Sequence, residues 1–233
     1  MIGAFATTLI AVLFLTGAGP AAAGAPPAEA LNPYPADRLL PFWRQYTLSH
    51  DPGAEEAMFT PAYRLDPPPD TGTQSSGFWL EAPDGALLAL DVDRQGYLVV
   101  PEAARSDGFF SRDTRILHDG DRPLPAIRLE IHARLEPGQR YAVGDLAALV
   151  SEVDQFQRSA MGFAALMAPR FDVVVFRFDG PAPDGWHVTA RGERRPLGAL
   201  HDTLFVRMTG RVARTGGEII LDAAPHTVVL EAR

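Results

Sequence analysis

The chain has 233 residues, of which 46% are hydrophobic and 21% charged, so it falls in the range of ordinary globular proteins rather than disordered ones. Its 29 acidic and 21 basic residues give a net charge of −8, which argues against a nucleic-acid partner because nothing neutralises a polyanion overall. Cysteine is absent and every basic residue is arginine. These absences exclude thiolate metal sites, disulfides and cysteine or lysine nucleophiles, and no cofactor is expected.

The N-terminus has the pattern of a secretory signal. A nearly uncharged apolar run, residues 3–17, is followed by small residues, and the pattern Ala21-x-Ala23 predicts cleavage before Gly24. The alternative is a retained anchor, but glycine and threonine break the run, which barely reaches the ~18–20 residues of a membrane span. We therefore expect residues 1–23 to be a signal peptide. The mature protein would then be periplasmic or secreted and not transmembrane.

The composition also indicates the source of the chain. Arginine without lysine, together with many alanine, glycine and proline residues, is typical of a GC-rich bacterial genome. An exported bacterial protein without cysteine must rely on its hydrophobic core for stability. About 210 residues remain after cleavage of the signal, enough to bury roughly 70% of the unfolded surface.

The same order of local features occurs twice along the chain. The segment 63–66 resembles 176–179, and further matches join Trp79 to Trp186, Gly85 to Gly192 and Leu129 to Leu230. The shared order predicts an internal duplication with units at 34–136 and 141–233. The alternative is a chance similarity between two strand-rich segments.

In the first unit, Leu39, Leu40, Trp43 and Tyr46 predict a short helix, with Pro41 tolerated only near its start. Segments 78–82, 87–92 and 97–101 predict a strand meander joined by glycine-containing turns. Segment 127–135 alternates cleanly between apolar and polar residues, which predicts a strand with one wet face.

In the second unit, an apolar stripe from Leu146 to Met167 has helical spacing, with Asp145 as the expected cap, Gly162 as a possible break and Pro169 as the stop. The run 173–176 is apolar on both faces and is expected at the centre of a sheet. Segments 203–208, 218–222 and 227–231 complete this sheet. We therefore predict an α+β fold of two related units, each a helix plus a small antiparallel sheet, packed through their helices.

One segment resembles a calcium-binding loop in its oxygen-bearing residues. Asp91, Asp93 and Glu102 occupy positions 1, 3 and 12 of that pattern, and Gly96 occupies position 6. The flanks are predicted strands rather than helices, so a plain hairpin with an Asp-Arg-Gln-Gly turn is the favoured interpretation.

Catalytic candidates are few. His118 with Asp119, and His201 with Asp202, could supply a base and an orienting carboxylate, but adjacent side chains in a strand point to opposite faces. Turn residues at the surface are the favoured interpretation. An enzyme would be favoured if two or more residues of one set lined the same pocket. The set is Asp91, Asp93, His118, His201 and Asp202.

The run 160–168 contains no polar residue, and Met161, Phe163 and Met167 within it are candidate partner-binding residues. The alternative, which the sequence favours, is a helix buried on all sides between the two units. Taken together, the sequence favours a non-catalytic binding or envelope-assembly module whose partner is an unknown envelope protein or polymer. An envelope hydrolase with a carboxylate and histidine site between the units is the alternative.

Overall fold

A computed structural model describes residues 31–49, 57–66, 77–105, 109, 111–119 and 125–232. The predicted signal peptide lies outside these residues. The first half contains helices α1 (Ala36–Leu39) and α2 (Trp43–Ser49) and seven strands: β1 (Leu31–Pro35), β2 (Phe59–Asp66), β3 (Phe78–Glu81), β4 (Leu87–Val92), β5 (Leu98–Val99), β6 (Arg115–Asp119) and β7 (Ala126–Ala133). The second half contains α3 (Val143–Met161), α4 (Gly210–Thr215) and eight strands: β8 (Arg140–Ala142), β9 (Phe171–Arg177), β10 (Gly185–Val188), β11 (Arg194–Pro196), β12 (Gly198–Leu200), β13 (Thr203–Arg207), β14 (Glu218–Leu221) and β15 (Thr227–Ala232).

The fold is mostly β, and the α+β prediction is wrong. The described strands form three antiparallel sheets, with the orders β1-β6-β3-β4-β5, β11-β10-β14-β8 and β12-β13-β9-β15-β7-β2. Several of these strands, such as β5, β8 and β12, are only two or three residues long. Such short strands carry no readable periodicity, so the sequence underestimates the share of strand.

The helices begin and end for local reasons. Pro41 divides the first predicted helix into α1 and α2, because Leu40 before it leaves the helical region, with a φ of −117° and a ψ of 66°, and Phe42 after it has a φ of 71°. Helix α3 starts at Val143, slightly before the expected cap, and ends where Gly162 adopts a φ of 56°. A short 3-10 helix, Gly162–Met167, follows. In the described part of the chain, no helix is both long and apolar enough to span a bilayer.

The two halves meet in the six-stranded sheet, where β7 of the first pairs with β15 of the second. This junction has two residue pairs, Ile131 with Leu230 and His132 with Val229. The prediction that the two halves pack mainly through their helices is therefore wrong, because the sheet joins them. Helices α2 and α3 do cover one face of this junction. The shared cluster there contains Tyr46, Ala57, Phe59, Ile131, Leu149, Val153 and Leu230.

Strand pairing follows the same scheme in both halves. The order β1-β6-β3-β4 in one sheet corresponds to β8-β14-β10-β11 in another, and β2 pairs with β7 as β9 pairs with β15. Trp79 pairs with Ala89, and Trp186 pairs with Pro196, each 107 positions further along. Gly85 and Gly192 have φ values of 86° and 82° in equivalent turns. This repetition supports an internal duplication, which we retain as a proposal.

We expect Ile131→Ala to lower the free energy of unfolding by ~2–5 kcal/mol, because it leaves a cavity in the cluster that joins the halves. Urea denaturation followed by circular dichroism should still show one cooperative transition, since both halves contribute to that cluster. The control is Leu87→Ala at a side chain that is 43% exposed, with an expected loss below about 1 kcal/mol. Equal losses in the two variants would contradict the assigned role of the junction.

Candidate functional site

A cleft of about 650 Å³ lies on the face of the six-stranded sheet that points away from α2 and α3. Its floor comes from alternate residues of the central strands, including Val173, Val175 and Arg177 of β9 and His132 of β7. Its walls are two turns, residues 93–97 of the first half and 200–203 of the second. Both halves therefore build the same cleft.

A buried carboxylate that does not itself line the cleft binds two of the lining side chains, Arg177 and Tyr97. Glu130 is only 8% exposed, and Arg177 donates two hydrogen bonds to it, from Nη1 to Oε2 at 2.8 Å and from Nη2 to Oε1 at 3.1 Å. The Tyr97 hydroxyl donates to Oε2 at 2.7 Å, and its oxygen accepts a bond from Arg177 Nη1 at 3.1 Å. His132 Nε2 lies 3.4 Å from Oε2. We call these four residues the carboxylate network.

Two further residues surround the carboxylate network. Arg64 Nη1 lies 3.9 Å from Glu130 Oε1, and its guanidinium stands 6.0 Å from the centre of the Tyr97 ring. Arg177 Nη2 also lies 3.4 Å from Glu231 Oε1. Glu130 thus has two arginines beside it, Arg64 and Arg177. Arg177 is also close to a second carboxylate, that of Glu231. The charges are balanced locally, as burial requires.

The environment shifts the pKa values of the carboxylate network in opposite directions. Burial alone raises the pKa of Glu130, but hydrogen bonds from His132, Arg177 and Tyr97 hold it well below its usual range. Burial, followed by the hydrogen bond to Glu130, raises the pKa of Tyr97 to about 12. Burial lowers the pKa of Arg177, yet its bond to Glu130 outweighs this and raises it. Glu130 is therefore charged and Tyr97 neutral near pH 7.

Some of the candidate catalytic residues line this cleft. Asp93 from one wall and His201 and Asp202 from the other line it, whereas Asp91 and His118 do not. His118 is buried on β6, with its ring 4.6 Å from that of Phe78 between centroids. Three of the five residues therefore share one cleft, which is the arrangement that would favour an enzyme.

The calcium-like segment folds as a hairpin. Asp93 Oδ1 accepts hydrogen bonds from the backbone amides of Gln95 at 2.9 Å and Tyr97 at 2.8 Å, and Gly96 has a φ of 87°. Asp91 lies exposed on β4. The side chain of Glu102 lies outside the described ones, so the expectation that this set of carboxylates binds no calcium stays a prediction. Among the described residues, no group of three acidic, histidine or cysteine side chains could hold a metal.

Sequence reasoning missed the residues at the centre of the site. Glu130 was expected on a wet strand face, and Tyr97 and Arg177 were not singled out. His226 also lines the cleft, with Nδ1 3.3 Å from Asp179 Oδ1. One signal was available, since the repeated segments 63–66 and 176–179 place Arg64 and Arg177 at matching positions, and both approach Glu130.

The apolar run 160–168 is exposed, contrary to the favoured expectation of burial between units. Phe163 and Met167 are 86% and 88% exposed, and Met161 is 36% exposed. The run changes direction at Gly162, whose positive φ ends α3, and no residue of the 3-10 helix that follows is buried.

Comparison of the chain with protein-family models, with curated proteins and with solved structures finds no match.

We expect Glu130→Gln to lower the free energy of unfolding at pH 7 by up to ~3–5 kcal/mol, because it removes the buried partner of Arg177 and leaves only the half-exposed Glu231 carboxylate beside that guanidinium. The wild-type pKa of Glu130 is depressed in the folded state, so its stabilisation is complete above the ordinary carboxyl pKa of about 4.3. It declines as the pH falls further. The difference between wild type and variant, measured by urea denaturation from pH 7 to pH 3, should therefore shrink below about pH 4.

Tyr97→Phe is the matched control for this experiment. It removes one charge-assisted hydrogen bond at a cost of about 1.5–3 kcal/mol but keeps the buried charge pair, so most of the acid dependence should remain. A Glu130→Gln variant with the acid dependence of the wild type would show that this carboxylate does not contribute as described.

Proposed function

We propose that the chain is an exported binding protein of the cell envelope and that the cleft at the junction is its ligand site. One observation carries this proposal: both halves contribute walls to a cleft in which two lining side chains, Arg177 and Tyr97, are held by hydrogen bonds to Glu130. A carboxylate with a low pKa that accepts bonds from Arg177 and Tyr97 holds no proton to give near neutral pH. Glu130 is therefore unsuited to act as a general acid near neutral pH, and its role in this proposal is to hold Arg177 and Tyr97 in the cleft lining.

The lining indicates the chemical class of the ligand. Among the residues that line the cleft, the carboxylates of Asp93, Asp202 and Glu231 outnumber the two arginines, so an anionic ligand is disfavoured. Gln95, His201, Thr203 and Thr227 offer hydrogen-bonding groups, while Leu200 and Phe205 offer apolar contact. This mixture suits a hydroxyl-rich, uncharged ligand.

The floor also disfavours an extended peptide. Peptides that add to a sheet need an open strand edge, but β9 and β15 in the floor each have strand neighbours on both sides. Recognition must come from side chains, and sugar hydroxyls and ring faces are suited to that. We therefore propose an uncharged saccharide segment of an envelope polymer as the ligand.

The second candidate is an envelope hydrolase acting in the same cleft. It is favoured by the presence of Asp93, His201 and Asp202 in the lining and by the contact between His226 and Asp179. A histidine oriented by a carboxylate is a common general base.

Binding should be tested with uncharged and anionic oligosaccharide fragments of bacterial envelope polymers, by saturation-transfer NMR and calorimetry. We expect the uncharged fragments to bind and Gln95→Ala combined with His201→Ala to weaken them by roughly tenfold, as expected for two lost hydrogen bonds. The control is Arg195→Ala, an exposed residue of β11 outside the cleft lining, which should leave binding unchanged.

The same fragments distinguish the two candidate functions. Intact fragments after long incubation agree with a binding protein. Cleavage that is lost in His201→Ala would replace binding with hydrolysis as the function, and no binding of any fragment would contradict the saccharide proposal.

Export has its own test. The apolar run and the Ala21-x-Ala23 pattern support cleavage before Gly24, so the chain expressed in a bacterium should be recovered from the periplasm or medium with the mass of residues 24–233. A full-length species in the membrane fraction would show that the N-terminus is retained as an anchor.

A further inference from the structure

The run 160–168 forms a projection that we call the apolar tip. Its large side chains stand in solvent, with Phe163, Leu166 and Met167 exposed at 86%, 70% and 88%. No residue of its 3-10 helix is buried. Exposed apolar surface of this kind on a folded protein marks an interaction site.

The tip is held in place at its base. Gln157, a buried residue of α3, donates a hydrogen bond from Nε2 to the carbonyl oxygen of Pro169 at 3.0 Å. This bond ties the end of the tip to the helix that precedes it. The Gly162 amide donates to the Arg158 carbonyl, and the Ala168 amide donates to the Ala165 carbonyl at 3.3 Å. These backbone bonds are internal, which suits a segment that enters an apolar medium.

The distribution of side chains favours a bilayer over a protein groove. A groove receives one face of a helix and leaves the other polar. Here the nine residues of the tip have no polar side chain on any side of the turn. A fluid apolar medium can remove all of the exposed side chains of the tip from water at once, whereas a groove covers one face.

The charge near the tip is complementary to an anionic lipid surface. From residue 158 to residue 170 there is no acidic residue, and an arginine stands at each end, although the whole chain carries −8. Arg158 is paired with Asp154, whereas Arg170 is exposed and has no ion pair among the described residues. Asp154 and Asp172 line one surface pocket with Arg170, but each is paired with another arginine, Arg158 or Arg207, so the charge of Arg170 is not balanced there.

We infer that the apolar tip inserts into the interfacial layer of a bilayer containing anionic lipids, with Arg170 at headgroup level. The depth of such insertion is typically ~5–10 Å. This inference is independent of the ligand proposed for the cleft. It makes the protein a peripheral membrane protein whose cleft remains free.

The test is flotation of the chain without residues 1–23, which retains every described residue, with vesicles of phosphatidylcholine alone or with about 30% phosphatidylglycerol. We expect binding to both and roughly fivefold tighter binding to the anionic vesicles. Phe163→Ser with Met167→Ser should weaken binding by roughly tenfold or more, because two large apolar side chains no longer leave water. Arg170→Gln should remove most of the preference for anionic lipid.

Controls separate insertion from general stickiness and misfolding. Leu87→Ser changes another exposed apolar side chain and should leave vesicle binding unchanged. Because the tip residues are exposed, the double serine variant should keep the wild-type melting temperature. In Phe163→Trp, brominated lipids should quench the added fluorescence, which reports depth directly.

Two results would overturn the inference. One is absence of vesicle binding, or binding that the double serine variant retains. The other is dimerisation of the wild type in sedimentation velocity that the double serine variant abolishes, which would make a second copy the occupant of the tip. Loss of saccharide binding with retained vesicle binding would instead contradict the cleft proposal alone.

Discussion

The burial of one carboxylate, that of Glu130, governs the arrangement around the junction. Strand alternation in β7 places it on the face opposite the helices, and a buried charge there requires a partner. The partner comes from the other half, because Arg177 on β9 reaches across β15 to make a two-point contact. Tyr97 completes the set and holds the 93–97 turn over the sheet. The wall formed by the 93–97 turn is therefore a consequence of the hydrogen bonds that pair the buried charge of Glu130.

The repeated architecture explains why the cleft is built from both halves but is not symmetric. Each half contributes one turn to the cleft, residues 93–97 and 200–203, and the arginines at matching sequence positions, Arg64 and Arg177, both approach Glu130. Only Arg177 forms the two-point contact, while Arg64 remains at 3.9 Å. Two halves with the same order of strand pairing thus share one charged centre beside this cleft. The cleft and the apolar tip use different chemistry, polar side chains in one and apolar side chains in the other.

The spacing of apolar residues in the sequence predicted the long helices and strands correctly. The alternation of β7, the apolar run of β9 at the centre of its sheet and the long helix ended by Gly162 all follow from residue spacing. The fold class did not, because strands of two or three residues such as β5 and β12 are defined by their partners rather than by a period. The first predicted helix breaks at Pro41, which is a local effect. The helical spacing of Leu40 and Trp43 gave no indication of this break.

The sequence by itself determined the class of chemistry available, with no thiol and no lysine, and the places where the backbone must turn, such as Gly85 and Gly192. It also determined that residues 160–168 are apolar, but not whether they are covered. Only the tertiary structure decided that the tip is exposed and that Glu130, Tyr97 and Arg177 meet. The physical reason is that burial and charge pairing depend on contacts between residues 33 to 80 positions apart, which no local spacing encodes.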